Sequence, residues 1–156
     1  MGRRTGAVLV SLLLLLMLAV SASAAAVKMT VGVRFWRESG DKESMADSAV
    51  DTTREATLTR QPNGTFTLEL PVKQLSSMNM TGSLTGIAIG EVNYDGTLSG
   101  DLSDGTAVLT LKNLPASVLT GSDSSKALAV TCSIRMDTIL LGDITTSAKM
   151  SIWVER

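Results

Sequence analysis

Residues 27–36 read VKMTVGVRFW, and this stretch decides the fold. Apolar side chains occupy every second position from Val27 to Phe35, and Lys, Thr, Gly and Arg residues alternate with them. A period of two puts the apolar side chains on one face of an extended chain, whereas a helix needs a period near 3.6. The stretch therefore predicts a β-strand that is buried on one face.

The same alternation returns after residues 61–64, which read QPNG. Phe66, Leu68 and Leu70 alternate with Thr and Glu residues, and Asn63-Gly64 is a dipeptide that favours a tight β-hairpin turn. Further strands are predicted at 53–60, 78–89, 92–98, 107–111, 127–136 and 147–154. These eight short strands, separated by turn residues and without helical periods between them, predict an all-β, antiparallel β-sandwich.

The first 24 residues have the pattern of a cleavable signal peptide. Arg3 and Arg4 precede the apolar run Ala7–Val20, and the small residues Ala22-Ser23-Ala24 follow it, as in a basic region, an apolar region and an A-x-A cleavage site. The apolar run is shorter than the ~20 residues that span a bilayer comfortably. We expect cleavage near Ala24, one mature domain at 25–156 without a transmembrane anchor, and secretion or association with the cell surface.

The composition excludes several kinds of chemistry. The chain has no histidine, so it cannot form a Ser-His-Asp or Cys-His catalytic system or a His-ligated zinc or haem. A single cysteine, Cys132, excludes an internal disulfide, and its apolar strand favours a buried structural thiol over a reactive one. Without Arg3 and Arg4 the chain has 12 basic and 15 acidic residues, a net charge of −3, which argues against a nucleic-acid partner.

Two carboxylates remain as candidates for acid–base chemistry. Asp101 and Asp104 lie in residues 98–105, which read LSGDLSDG. Asp and Gly at this density are typical of a hairpin turn, in which they adopt tight backbone conformations. A solvated turn is therefore favoured over a catalytic pair, and we expect that the protein is not an enzyme.

The polar stretch 43–50, which reads ESMADSAV, lies between two predicted strands. This stretch, the QPNG turn and the strands around them resemble the haem-binding NEAT domains of Gram-positive cell surfaces. The resemblance implies an immunoglobulin-like sandwich of about eight strands with one short 3₁₀ turn at the Ser-Met stretch. It also implies that haem lies between this turn and the hairpin of the last two strands.

The chain departs from this family at the iron ligand. The family has a Tyr-x-x-x-Tyr pattern at the end of the penultimate strand, and the matching positions here are Met136 and, near the second tyrosine, Leu140. The only tyrosine, Tyr94, lies in the middle of the chain. Some streptococcal haem-relay proteins resemble this plan with thioether ligands. By that resemblance Met136 and Met45 are candidate ligands of the haem iron from opposite sides, while a purely core role for every methionine stays open.

The resemblance also implies the rest of the pocket. Ser44 and Lys42 would hydrogen-bond the haem propionates. Ala46 would line the turn, and Ile134 and Leu140, with the neighbouring Ile139 and Leu141, would supply the apolar wall. The alternatives are a helix-capping role for Ser44 and a solvated lysine.

Three functions follow from these expectations. The leading one is an exported haem-binding and haem-transfer module of a bacterial iron-acquisition system, with a second haem-relay protein or a haemoprotein as its partner. The second is a NEAT-like protein-binding module that binds no haem. The third is an immunoglobulin-like adhesion domain in which all methionines are core residues.

Overall fold

The computed structural model describes residues 25–77, 79–138 and 142–156, so the predicted signal peptide lies outside the described residues. The strands are β1 (Val27–Arg37), β2 (Ala56–Arg60), β3 (Phe66–Pro71), β4 (Leu75–Ser77), β5 (Met80–Ile89), β6 (Val92–Asp95), β7 (Thr97–Ser99), β8 (Val108–Leu114), β9 (Leu128–Met136) and β10 (Asp143–Val154). Single 3₁₀ turns lie at Met45–Ala49, Ala116–Val118 and Ser124–Lys126. In the described ranges no helix is long and apolar enough to cross a membrane.

The strands pair in the order β4-β5-β9-β10-β1-β2-β3-β8-β7, and every pair is antiparallel. β6 pairs with β5 beyond the end of β4. Both β5 and β6 also contact β8, so the two ends of this path face each other across the core. The predicted all-β, immunoglobulin-like sandwich is confirmed.

Most apolar positions of the alternating stretches form the core, as predicted, while Val27 at the start of β1 is exposed and Met29 is partly buried. Val31, Val33 and Phe35 of β1 are buried, and so are Leu68 and Leu70 of β3. Their side chains meet buried residues of β9 and β10 in one cluster. Burying each such side chain contributes about 1.5–3 kcal/mol, so the period-two pattern fixes which face of each strand points inward.

The predicted β2–β3 hairpin is confirmed. The Gln61 amide donates to the Thr65 carbonyl at 2.8 Å, and the Gly64 amide donates to the Gln61 carbonyl at 3.0 Å. Gly64 has a φ of 85°, a left-handed conformation that glycine adopts without steric cost. The Asn63 side chain accepts the Thr65 amide at 3.0 Å and completes the turn.

The strand count differs from the prediction, because one predicted strand is divided in two and one short strand, β4, was not predicted. Residues 92–98 break at Gly96, where an added Cβ would overlap the Leu109 side chain, and β6 then pairs with β5 while β7 pairs with β8. β4 is a separate short strand before Asn79, which has a φ of 63° and ends the extended conformation. The single predicted 3₁₀ turn is also joined by two shorter ones between β8 and β9.

Candidate functional site

The stretch 43–50 forms the predicted 3₁₀ turn and folds back onto the end of β1. The Ser44 amide donates to the Phe35 carbonyl at 2.9 Å. In return, the Phe35 amide donates to the Asp47 carboxylate at 2.7 Å. Ala46 and Ala49 are fully buried, and small side chains at these positions allow the turn to lie close to the core. The turn is therefore anchored by backbone pairing and apolar contact.

Asp47 is the buried charge of this turn. Its burial raises the pKa of the carboxyl, while the hydrogen bond from Phe35 and the guanidinium of Arg34 at 4.0 Å act in the opposite direction. Arg34 also pairs with Glu43 at 2.9 Å and lies over the Trp36 ring at 5.5 Å. Sequence reasoning gave Asp47 no role of its own, and the structure assigns it to holding the turn on β1.

Ser44 lies at the start of the turn and is only 8% exposed. Ser44 occupies the N-cap position of the turn, but its side chain makes no capping hydrogen bond. The alternative of a helix-capping serine is therefore wrong. Its Oγ is buried and has no hydrogen-bond partner among the described residues. An unpaired buried hydroxyl costs free energy, so Ser44 Oγ is an exception to the rule that buried polar groups are hydrogen-bonded.

The other two predicted residues of the turn region are more exposed. Met45 is 37% exposed, although the residue after it is fully buried. Lys42 is exposed in the loop after β1, where its carbonyl accepts the Arg37 amide at 2.7 Å. Both side chains are therefore accessible to a ligand approaching the turn from solvent.

The other half of the predicted site is the end of β9. Ile134 is fully buried and Met136 is 7% exposed, two positions apart on the inner face of the strand. The Met136 amide donates to the Gly142 carbonyl at 3.1 Å, which closes the β9–β10 hairpin. The predicted wall residue Leu140, with Ile139 and Leu141, lies outside the described residues.

The turn and the end of β9 belong to the same corner of the sandwich. The turn at Met45–Ala49 contacts β1, β4 and β5. In β5, Gly82 pairs with Leu75 of β4 on one side and with Met136 of β9 on the other. Because the strands beside the turn are the ones next to the end of β9, the two predicted halves of the site are near neighbours in the fold.

The structure adds a residue that sequence reasoning missed. Thr138 follows β9 at the start of the hairpin, and its Oγ1 is buried without a hydrogen-bond partner among the described residues. Ser44 Oγ and Thr138 Oγ1 thus present two unpaired buried hydroxyls, one in the turn and one in the hairpin. No local signal marks Thr138, because a threonine in a hairpin is ordinary in sequence.

Tyr94 lies elsewhere. It pairs with Ile87 of β5, five positions along that strand from Gly82, the partner of Met136. At about 3.3 Å per residue, and with a bulge in β5 between the two pairs, Tyr94 is about 13–16 Å from Met136 along the strand direction. It lines a separate cleft of about 410 Å³ together with Thr110 and Lys112.

The other side chains that the sequence offered for chemistry, Cys132, Asp101 and Asp104, have structural roles. Cys132 is fully buried, and burial raises the pKa of its thiol to about 12, so the reactive thiolate is suppressed. Asp101 accepts the Ser103 amide at 2.8 Å, and Asp104 accepts the Thr106 amide at 2.9 Å, as expected of turn residues. Among the described residues no group of three or more His, Cys, Asp or Glu side chains is arranged to hold a metal ion.

Comparison with known proteins finds similar solved structures but no similar sequence. No protein-family profile and no curated protein matches the sequence. The NEAT5 domain of IsdX2, a B. anthracis haemophore solved in complex with haem, matches with a TM-score of 0.53 at 11% identity, over 85% of this chain and 99% of that domain. A mutant of the same domain, also in complex with haem, matches with a TM-score of 0.55 at 10% identity, over 85% and 98%. The backbone of this chain thus has the fold of a NEAT domain.

Proposed function

We propose that this protein is an exported haem-binding and haem-transfer module of a bacterial iron-acquisition system. Haem is held between the turn at Ser44–Ala49 and the β9–β10 hairpin, and a haem-relay protein or haemoprotein is the exchange partner. The NEAT-like fold supports this proposal, since both solved domains that it resembles are complexes with haem.

The observation that carries the proposal is the pair of unpaired hydroxyls. Within the part of the chain that the structure describes, Ser44 Oγ and Thr138 Oγ1 are buried without hydrogen-bond partners, and they lie in the two elements that the proposal assigns to the pocket. Buried polar groups in proteins are nearly always hydrogen-bonded, so two exceptions at one corner favour a polar ligand there. The two propionate carboxylates of haem match these donors, and Lys42 lies in the adjacent loop as a charged partner.

Met136 and Met45 are the proposed iron ligands. Without histidine and with Tyr94 at a distance, thioethers are the donor groups that the turn and the end of β9 offer. When bound, haem supplies a reducible iron whose potential a methionine ligand raises. Met136 is held on the inner face of β9, and the partly exposed Met45 is free to change rotamer. One fixed and one adjustable ligand of the haem iron would suit reversible transfer of haem to a partner.

The test is a haemin titration of the purified protein, with absorption spectra in both redox states. Wild type should give a six-coordinate, low-spin ferrous form. Met136→Leu conserves volume in a nearly buried position, which costs less than about 1.5 kcal/mol, so it removes the sulfur without emptying the core. We expect it to lose the low-spin ferrous spectrum and to release haem to a scavenger about tenfold faster or more, as about 1.4 kcal/mol of lost coordination requires.

Four further variants, Met45→Leu among them, complete the experiment. Met29→Leu is the matched control, because Met29 pairs with Leu58 in β1–β2, away from the turn and the hairpin. Ser44→Ala and Thr138→Val remove hydroxyls that have no hydrogen-bond partner among the described residues, so they should leave the apo-protein stability unchanged and still accelerate haem loss. If Met136→Leu and Met45→Leu both keep the wild-type spectrum and release rate, methionine ligation is wrong. If wild type binds no haem, the protein-binding alternative replaces this proposal.

A further inference from the structure

Asp137 connects the β9–β10 hairpin to the neighbouring edge of the sandwich. Its backbone amide donates to the Thr81 carbonyl at 2.9 Å. Its carboxylate Oδ2 accepts from Thr81 Oγ1 at 2.6 Å and from Gln74 Nε2 at 3.2 Å. Thr81 belongs to β5 and Gln74 precedes β4, so three hydrogen bonds from one residue join the start of the hairpin to two other elements.

The residues on either side of Asp137 belong to the proposed site. Met136 precedes it, and Thr138, whose hydroxyl has no hydrogen-bond partner in the described ranges, follows it. The Met136 thioether packs on Gly82, the residue after Thr81. A Cβ added to Gly82 would lie 3.0 Å from Met136 Sδ and 2.8 Å from the Arg135 carbonyl. The position of the sulfur therefore depends on how closely β9 is held against this part of β5.

We propose that Asp137 is a positioning residue of the site, which fixes the Met136 sulfur and the Thr138 hydroxyl by holding the hairpin on β5. This inference rests on the haem proposal above. Groups that hydrogen-bond directly to metal ligands change metal affinity by about 10- to 100-fold when removed. Asp137 acts through the backbone beside Met136, so we expect the lower end of this range. The Asp137 side chain is exposed, so its hydrogen bonds compete with water and contribute little to global stability. Its removal should therefore affect the site more than the fold.

Asp137→Ala is tested against Asp143→Ala. Asp143 lies on the other strand of the same hairpin and pairs with Arg135 at 3.3 Å, with side chains 64% and 66% exposed. The control thus removes a carboxylate from the same hairpin without a bond to β5. The first readout uses apo protein: the ¹³C-methyl NMR signal of Met136, assigned with Met136→Leu. This signal should shift or broaden in Asp137→Ala only, and the signal of the fully buried Met150 should stay in place in both variants.

The second readout uses haem-loaded protein. Asp137→Ala should release haem about tenfold faster and lose part of the low-spin ferrous spectrum, whereas Asp143→Ala should behave as wild type. Asp137→Asn keeps an oxygen acceptor for Thr81 and should restore most of the wild-type behaviour.

The two proposals fail separately. If Asp137→Ala lowers only the melting temperature, and leaves the Met136 signal and haem release as in Asp143→Ala, the positioning role is overturned. If wild type binds no haem while the Met136 signal still moves only in Asp137→Ala, the haem proposal is contradicted and the positioning role is supported.

Discussion

Asp51 and Arg54 show how much of the loop after the 3₁₀ turn depends on single side chains. Asp51 accepts the Thr53 hydroxyl at 2.6 Å and the Arg54 Nε at 2.8 Å. Arg54 in turn donates to the Val72 carbonyl at 3.3 Å and to the Ala107 carbonyl. The loop is therefore held against the residue that follows β3 and the residue that precedes β8.

This network makes stability depend on pH. The Thr53 hydroxyl and then the Arg54 guanidinium lower the pKa of Asp51 from 3.8 to about 2. Because the folded-state pKa is lowered, the folded state binds fewer protons, and the stabilisation is present above about pH 4 and is lost as the pH falls through about 2. A shift of this size corresponds to about 2 kcal/mol. We expect urea unfolding to show that wild type loses about 2 kcal/mol relative to Asp51→Asn between pH 5 and pH 2.

Thr53→Val is the matched variant for this measurement. It keeps the carboxylate and deletes its hydroxyl donor, so it should show part of the wild-type loss. An Asp51→Asn protein with the same pH dependence as wild type would contradict the assignment.

At the scale of elements, a close contact joins β1 and β10, and the sequence of neither strand indicates it. Gly32 pairs with Trp153, and the indole ring lies across the Gly32 backbone. A Cβ at this position would overlap the ring carbons of Trp153. The glycine in the alternating stretch VKMTVGVRFW is thus explained by packing, and its φ lies outside the left-handed region.

Gly32→Ala should force the Trp153 ring off the sheet. Overpacking of this kind costs about 1–3 kcal/mol, and the displaced indole should shift its fluorescence emission to longer wavelength. The double variant Gly32→Ala/Trp153→Leu should recover part of the loss, because the smaller side chain leaves room for the methyl group. A destabilisation by Gly32→Ala that Trp153→Leu does not relieve would argue against this contact as the cause.

The element boundaries also show where sequence patterns are sufficient. The alternation around Phe35 and the Asn63-Gly64 dipeptide act over a few residues, so strand β1 and the β2–β3 hairpin were predictable. The break at Gly96 was not predictable, because it follows from contact with Leu109 in a different strand. The same holds for Ser44, whose unpaired hydroxyl is a property of its surroundings.

At the scale of the whole molecule, the described domain is one closed sandwich that begins within a few residues of the predicted cleavage site. Strand β1 starts at Val27, and the predicted cleavage follows Ala24. A leader that ended later would remove a strand at the centre of the sheet order, between β10 and β2. The position of the predicted cleavage site is therefore compatible with an intact fold.

We expect the exported protein to begin close to Ala25, because the basic, apolar and A-x-A segments occur in the order that signal peptidase requires. Intact-mass measurement of protein from the culture medium checks this. Replacing Ala22 and Ala24 with Gln should block cleavage and leave the precursor in the membrane fraction. A wild-type protein that keeps residues 1–20 would contradict the prediction.

The place of the 3₁₀ turn followed from the family resemblance. The sequence by itself determined the all-β class, the buried state of Cys132 and the exclusion of histidine chemistry. Each of these depends on composition or on patterns within about ten residues. The tertiary structure decided the strand order and the partners of the candidate site. Asp137 meets Gln74 and Thr81 across 63 and 56 residues of sequence, and no local pattern encodes such a contact. The strand order brings these residues together. That order depends on all strands at once, because their apolar faces must be buried in a single core.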